Sequence, residues 1–559
     1  MIKKLRFIEA GAINRYQKTF KNRFFYNGHI CNPSTGLITL ATIAKGLVDD
    51  TLMYSESISE LCWSDILDAD VVFISINTYN APRGYEIAQA LRGGAAPGEA
   101  APANTHHPLV VLGGLHASLN YPEAVQYADY VMLGDADESI VEFIQALQNQ
   151  ENQGENTGPN AGFAPFAPLT IPGLAYLDRT DSAAADPALL PTPATGTATP
   201  ALLPGTPAAD PATPGRIILT AQRAQPTDIE TIPDRSLVYD YARLAKKYDT
   251  LWPQVHASRG CGANCDYCSV VAHFGHRVRT RSPECVVEDI RQAIAFHNRR
   301  WPVRLTRAVW LTDDNFAEDR EWAKAVLKAI IASDITWGLT VQARWELGFD
   351  DELLELMRQA GFFEVSLGIE FIDDASFKLY HKRCTRERIE QAIANIQAHS
   401  IGVRGLFILG SDEDTLGIGR RLGQFVIANQ IHGCLVQSMF FVPGTPIYEH
   451  SQDRLLHRNW QLFNGNVVHR PKNMTPAQLQ QELIDASRTA YSAGRLLHAL
   501  IHAKGVLKAL AIGETLWHAQ QRHEWRKQLP ALRAYDTATA PATPPTASPA
   551  PATPPAPAA

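Results

Sequence analysis

Three cysteines fall within eight residues, in Ser258-Arg-Gly-Cys261-Gly-Ala-Asn-Cys265-Asp-Tyr-Cys268. Three thiolates on one short loop can each take one iron of a cubane cluster. A four-iron cluster held by three cysteines leaves one iron open to a substrate. Zinc is the competing metal, but a structural zinc site takes four ligands, and no fourth cysteine lies close by. Cys285, in Ser-Pro-Glu-Cys at a helix start, is the nearest candidate and reads as an ordinary small apolar residue. Cys31, Cys62, Cys384 and Cys434 are scattered singly. Such a distribution in a long chain whose first residues lack the apolar core of an export signal argues against a disulfide framework. The expectation is a cytoplasmic protein with reduced thiols.

The elements that position this loop follow from hydrophobic pattern. After residue 250, short apolar runs alternate with helical patterns. Strands are expected at Gln254–Ser258, Arg307–Leu311, Thr336–Val341, Glu364–Ile369, Val403–Leu409 and Cys434–Phe440. Helices are expected at Glu284–Asn298, Asp319–Ile331, Asp351–Gln359, Arg386–Ala398 and Leu422–Asn429. Six strand–helix units predict a partial parallel barrel, where chemistry sits at the C-terminal ends of the strands. Polar residues stand there: Asp313 and Asp314 after the second strand, Gln342 and Arg344 two apart at the third, and Glu370 at the fourth. Arg277, Arg279 and Arg281 also alternate. They predict either an anion-binding face or, as the stronger reading, a solvated or salt-bridged edge.

The first third has near-continuous apolar runs at Val71–Ile76, Leu109–Leu112 and Tyr130–Leu133, after a possible strand at Leu5–Ile8. With helices between them they predict a doubly wound parallel sheet. Small residues follow these strands: Ser75 and Thr78, then Gly113, Gly114 and Ser118, then Gly134. They would let a cofactor approach the backbone. From residue 149 to 215 the composition shifts to Pro, Ala, Thr, Gly and Asn, too poor in apolar surface to order itself. A hairpin of Gly173–Tyr176 with Arg216–Thr220 is expected to bracket this insertion. The resulting division is 1–148 for the doubly wound domain, 149–240 for the linker and 241–470 for the barrel. A helical region at 471–535, opened by Thr475-Pro476, and a disordered tail at 536–559 complete it. Over the 559 residues, 45% are hydrophobic and the net charge is -7. That charge argues against a general nucleic-acid binder, and no apolar run is long enough to span a bilayer.

The Cys-x-x-x-Cys-x-x-Cys spacing, with Tyr267 before the last cysteine and a barrel strand in front, resembles the radical S-adenosylmethionine (SAM) superfamily. The resemblance runs from about Leu251 to Arg470. It implies a 4Fe-4S cluster on Cys261, Cys265 and Cys268 that reductively cleaves SAM to a 5′-deoxyadenosyl radical. It also implies SAM contacts from Tyr267, Asp313, Asp314, Gln342, Arg344 and Glu370, Asp314 near the methionyl amino group and Glu370 near the ribose. The N-terminal domain is similar to the cobalamin-binding domain of one subgroup, which includes hopanoid methylases and the anaerobic magnesium-protoporphyrin ester cyclase. Cobalamin would then lie against Ser75, Thr78, Gly113, Gly114, Ser118 and Gly134. The Asp-x-His-x-x-Gly pattern that supplies a cobalt-ligating histidine is absent, as in many members of the subgroup, and His116 reads as a loop histidine. The resemblance implies methyl transfer to an unactivated carbon of a small-molecule or lipid-like substrate, with a flavodoxin- or ferredoxin-type electron donor. The alternatives are a cyclase or rearrangement enzyme whose N-terminal domain holds no cofactor, and a non-enzymatic iron–sulfur electron carrier or sensor.

Overall fold

The computed structural model describes residues 2–11, 32–99, 107–152, 169–178, 215–247, 252–297, 307–502 and 505–539. Cys31, most of the 149–215 insertion and residues 540–559 lie outside them.

Five parallel strands build the first sheet: β1 (Lys4–Glu9), β2 (Asp50–Ser55), β3 (Val71–Ser75), β4 (Leu109–Gly113) and β5 (Tyr130–Met132), in the order β2-β1-β3-β4-β5. Their apolar runs are continuous because both faces are covered. Leu5, Phe7, Val71, Phe73, Leu109 and Val111 point to one face, beneath the helices Thr35–Lys45 and Asp137–Asn152. The intervening Ile8, Val72, Ile74, Val110 and Leu112 join an apolar cluster continuous with the barrel core. Strand β2 was not expected from the sequence. The predicted hairpin is present: β6 (Leu174–Asp178) pairs antiparallel with β7 (Arg216–Leu219) and with β5, so it extends this sheet. The order reverses between β1 and β3, which opens a crevice at the strand C-termini.

Six parallel strands in chain order form the second sheet: β8 (Gln254–Val255), β11 (Ala308–Leu311), β12 (Gly338–Arg344), β13 (Phe362–Glu370), β14 (Gly402–Leu409) and β15 (Gly433–Ser438). The fold is therefore a doubly wound α/β domain followed by a partial barrel. Side-chain caps fix the helix starts, Asp319 on the Trp322 N–H, Asp350 on Leu353 and Thr385 on Arg388. One boundary is corrected. The expected first strand, Gln254–Ser258, breaks after Val255, and Ser258–Arg259 (β9) turns away to pair antiparallel with Arg279–Thr280 (β10). After the barrel, Thr475 and Gln478 form a capping box at the helix Pro476–Ala490. The last helix, Gly505–Thr539, runs through residues 536–539, which the sequence assigned to the tail.

At the N-terminal ends of β13 and β14 an ion network is sealed beneath the last helix. Arg404 Nε lies 2.9 Å from Glu364 Oε1 and also pairs with Glu514, and His432 Nε2 lies 2.5 Å from Glu364 Oε2. Burial alone would raise the Glu364 pKa, but Arg404 and His432 overcome it and hold the carboxyl well below the usual range. A depressed folded-state pKa gives stability that is complete above the unfolded value near 4.5 and is lost as pH falls below it. Glu364→Gln is expected to cost about 1–3 kcal/mol at neutral pH, since Arg404 keeps Glu514 while it and His432 lose the shared carboxylate. It should also flatten the acid limb of stability, both read from urea titrations against pH.

Candidate active site between the cluster loop and the N-terminal sheet

The cysteine loop is closed at its base by the β9–β10 ribbon and braced from the barrel by two acids. Asp313 is buried, accepts the Ser258 hydroxyl and takes the Ala257 N–H at 3.3 Å. Burial pushes its pKa up to about 7. Asp314 accepts the Gly260 N–H at 3.0 Å, next to Cys261 and where the chain turns at φ +91°. The Cys268 N–H reaches the Cys265 carbonyl at 3.0 Å, so the last two cysteines share one tight turn. The three thiols feel one another electrostatically. Burial is the main cause that raises Cys261 and pushes Cys268 to about 12. Iron binding would have to deprotonate them.

Among the described residues no three His, Cys, Asp or Glu side chains close on a single metal ion. A structural zinc site takes four such ligands, whereas a cubane can be held by three thiolates on three separate irons. The donor set fits the cluster. Cys285 is elsewhere: its Sγ meets the Glu230 carbonyl at 3.0 Å and Arg281 Nη2 at 2.9 Å.

Arg344 lies beside Cys261 and Cys265, with Nη2 on Glu346 at 2.7 Å. With Gly262, Asn315 and Glu318 it lines a polar recess against the cluster loop. The half-buried Gln342 takes the Phe316 N–H on its backbone oxygen at 3.2 Å. Glu370 has φ +71°, rare for a side chain of this kind, where the β13–β14 register shifts. Lys382 holds that strand end, donating to the Gly368 carbonyl at 2.6 Å and standing 3.6 Å from the Glu370 carboxylate. Tyr267 is buried, with its ring edge-on to Phe371 and Tyr380.

A cavity of about 280 Å³ lies between the two sheets. Ser75, Gly113, Gly114 and Gly134 line it from the strand C-termini of the first domain, and Ser258, Arg259 and Asp314 from the cluster loop and its brace. Two of the expected contacts stand one step back from it. Thr78 is buried with its hydroxyl 3.3 Å from His116 Nδ1, and Ser118 Oγ accepts the Gly134 N–H at 3.0 Å. Both support the lining without forming it, because their side chains turn into the domain. His116 is fully buried, has Asn120 Nδ2 3.4 Å from its other nitrogen and packs edge-on to Trp460, so it does not reach the cavity.

Gly114 is required by both conformation and space: φ is +89°, and a Cβ would stand 2.8 Å from the Ile76 carbonyl and from Ser75 Oγ. Gly113 is not, since its nearest neighbour would be 3.7 Å away. Gly114→Ala is therefore expected to cost about 1–3 kcal/mol and Gly113→Ala to leave the thermal midpoint unchanged, as measured by thermal unfolding.

Lining residues to which the sequence assigned no cofactor contact include His256, His273, Asp135 and Asp137. Burial is the main cause that lowers both histidines, His256 to about 4, so they face the cavity as neutral imidazoles. The alternating arginines resolve into ion pairs. Arg279 and Arg259 both pair with Asp135, and Arg259 Nη1 is 2.8 Å from Asp137 Oδ2. Arg281 Nη1 is 2.7 Å from the buried Asp289. The edge is salt-bridged and mostly buried; Arg277 alone is exposed.

The barrel thus carries a three-cysteine loop at its mouth, braced by two acids that follow its second strand. Residues 255–417 match the model of the radical SAM superfamily. The chain is similar to the bacteriochlorophyllide d C-12(1)-methyltransferase of Chlorobaculum tepidum, at 24% identity over 50% of this chain and 60% of that one. It is also similar to the hopanoid C-2 methylase of Rhodopseudomonas palustris, at 28% over 39% and 41%. The chain thus spans less than two thirds of the length of either relative. Among solved structures, the radical SAM methyltransferase TsrM of Kitasatospora setae, with cobalamin and a 4Fe-4S cluster bound, superposes with a TM-score of 0.58. The match has 14% identity and covers 96% of this chain and all of that one, so the two share the fold.

Proposed function

We propose that this chain is a cobalamin-dependent radical SAM methyltransferase acting on an unactivated carbon of a small-molecule or lipid-like substrate. The observation that carries this reading is the cavity bounded on one side by the strand ends of the doubly wound domain and on the other by the cluster loop. Methyltransferases among the relatives and a cobalamin-bound structural neighbour support it.

When bound, the cluster and SAM supply a hydrogen-abstracting radical, and the corrinoid supplies the methyl group. The chain's own work is placement. Cys261, Cys265 and Cys268 hold the cluster, and Asp313 and Asp314 fix the loop that carries them. Gln342, Arg344, Glu370 and Tyr267 surround the position for SAM at the barrel mouth. Ser75, Gly113, Gly114 and Gly134 leave the backbone open to a flat cofactor, with Thr78 and Ser118 supporting them. Neutral His256 and His273 offer hydrogen bonds without adding positive charge. A flavodoxin- or ferredoxin-type protein supplies the electron.

The test is anaerobic reconstitution with iron and sulfide, followed by SAM, a low-potential reductant and hydroxocobalamin. The expected result is 5′-deoxyadenosine formation together with co-elution of one corrinoid absorbance with the protein. Deoxyadenosine without corrinoid retention would overturn the methyltransferase reading in favour of a radical enzyme with a scaffold domain. Absence of both would overturn the reading altogether.

A further inference from the structure

Tyr267 carries a polar atom with no task in the packing around it. Its side chain is buried, 8% exposed, and its hydroxyl is sealed from solvent without a hydrogen-bond partner. A buried polar group left unpaired costs stability, and a phenylalanine ring of the same shape would avoid that cost. The ring itself is firmly held. It stands edge-on to Phe371 at 6.1 Å and to Tyr380 at 6.0 Å. The carbonyl of Asp266, just before it, accepts the Ile447 N–H at 3.1 Å. The hydroxyl is thus fixed in place and unsatisfied.

Its surroundings identify the missing acceptor. The ionisable groups that face the hydroxyl are Glu370, Cys265 and Cys268, and Cys265 is the one within hydrogen-bonding range. A thiol sulfur is a weak acceptor, and the two groups form no bond. A thiolate on iron carries charge, and a hydroxyl meets a charged acceptor in a shorter, stronger hydrogen bond. Glu370 is the lesser competitor, since Lys382 Nζ already stands 3.6 Å from its carboxylate. The phenol ordinarily titrates at about pH 10, and burial moves it higher, so it remains a donor. A donor at a cluster sulfur offsets the negative charge that reduction adds, and so favours the reduced form.

We propose that the Tyr267 hydroxyl donates a hydrogen bond to the cluster-bound Cys265 thiolate and thereby raises the reduction potential of the cluster. The inference rests on this loop holding the cluster. The test is Tyr267→Phe, which removes the hydroxyl and keeps the ring. Wild type and variant are reconstituted anaerobically with iron and sulfide and titrated without SAM against viologen mediators, the reduced cluster being counted by electron paramagnetic resonance. The variant is expected to hold iron and sulfide at wild-type levels. It should be about tenfold harder to reduce, a shift of about 59 mV to more negative potential for one electron. The thermal midpoint of its cluster-free chain should be unchanged or higher, because an unpaired buried hydroxyl is gone. A merely structural role would lower that midpoint and leave the potential where it was. Tyr380→Phe is the control: its ring packs against Tyr267, but its hydroxyl faces Ser411 and Asp412, so its potential should match wild type. An unchanged or more positive potential in Tyr267→Phe, an equal shift in Tyr380→Phe, or loss of the cluster from Tyr267→Phe would overturn the proposal. A wild-type chain that holds no iron would overturn the assignment of the loop, and this proposal with it.

Discussion

Cys265→Ala is expected to reduce reductive SAM cleavage to background while leaving the chain folded. The first half follows from ligand count. The loop offers three thiols, and the chain's other cysteines stand elsewhere in the sequence. Two thiolates cannot hold a cubane that already relies on an open iron. The second half follows from what holds the loop. The β9–β10 ribbon, Asp313 on Ser258 and Asp314 on Gly260 remain when the thiol is removed. Cys265 is half-buried and in no disulfide, so the thermal midpoint of the cluster-free chain should move little. Cys285→Ala is the control, since its sulfur is committed to Glu230 and Arg281. It should retain iron, sulfide and 5′-deoxyadenosine formation. The measurement is iron content, the charge-transfer absorbance of the cluster and deoxyadenosine by chromatography. Wild-type levels in Cys265→Ala would remove the central assignment.

How much of this was readable in the chain depended on whether a residue's partner was local. The helices Asp351–Gln359 and Arg386–Ala398 begin and end where the pattern places them, because caps and apolar spacing are properties of neighbouring residues. Strands β3 and β4 were legible because burial on both faces leaves near-continuous apolar runs. Strand β2 was not: it is an edge strand, opens on an aspartate and mixes polar with apolar residues, Asp-Thr-Leu-Met-Tyr-Ser. Ser75, Gly113, Gly114 and Gly134, singled out as small residues at strand ends, line the cavity. The same rule could not tell that Thr78 and Ser118 turn inward, since that is decided by His116 and by the Gly134 N–H. His256 and His273 carry no spacing signal at all. The arginine alternation showed a common face, but the acid that meets Arg279 comes from another domain, 144 residues earlier.

That long-range pair leads to the second large effect. Asp135→Asn is expected to cost about 3–5 kcal/mol, the usual penalty for removing one side of a buried ion pair. The side chains of Arg279 and Asp135 are 2% and 7% exposed, so water cannot replace the lost partner. Arg279 Nε and Nη2 have no hydrogen-bond partner in the structure, so no second acceptor stands ready. Arg259 would keep Asp137 and lose less. Asp137→Asn should accordingly be the milder variant. Pairing Asp135→Asn with Arg279→Met should restore part of the stability, because the stranded charge is then gone, and a double-mutant cycle in urea isolates the coupling. The effect on function should be uneven. Asp135 sits on the loop after β5 that lines the cavity, while Arg259 and Arg279 form the ribbon beneath the cysteines. Loosening this joint separates the two walls of the cavity without touching the cluster ligands. Methylated product should fall more than deoxyadenosine, and the ratio of the two, followed at a denaturant-free temperature where Asp135→Asn remains folded, is the diagnostic quantity. If both fall in proportion, or if neither stability nor the ratio changes, the ion pair does not couple the two walls.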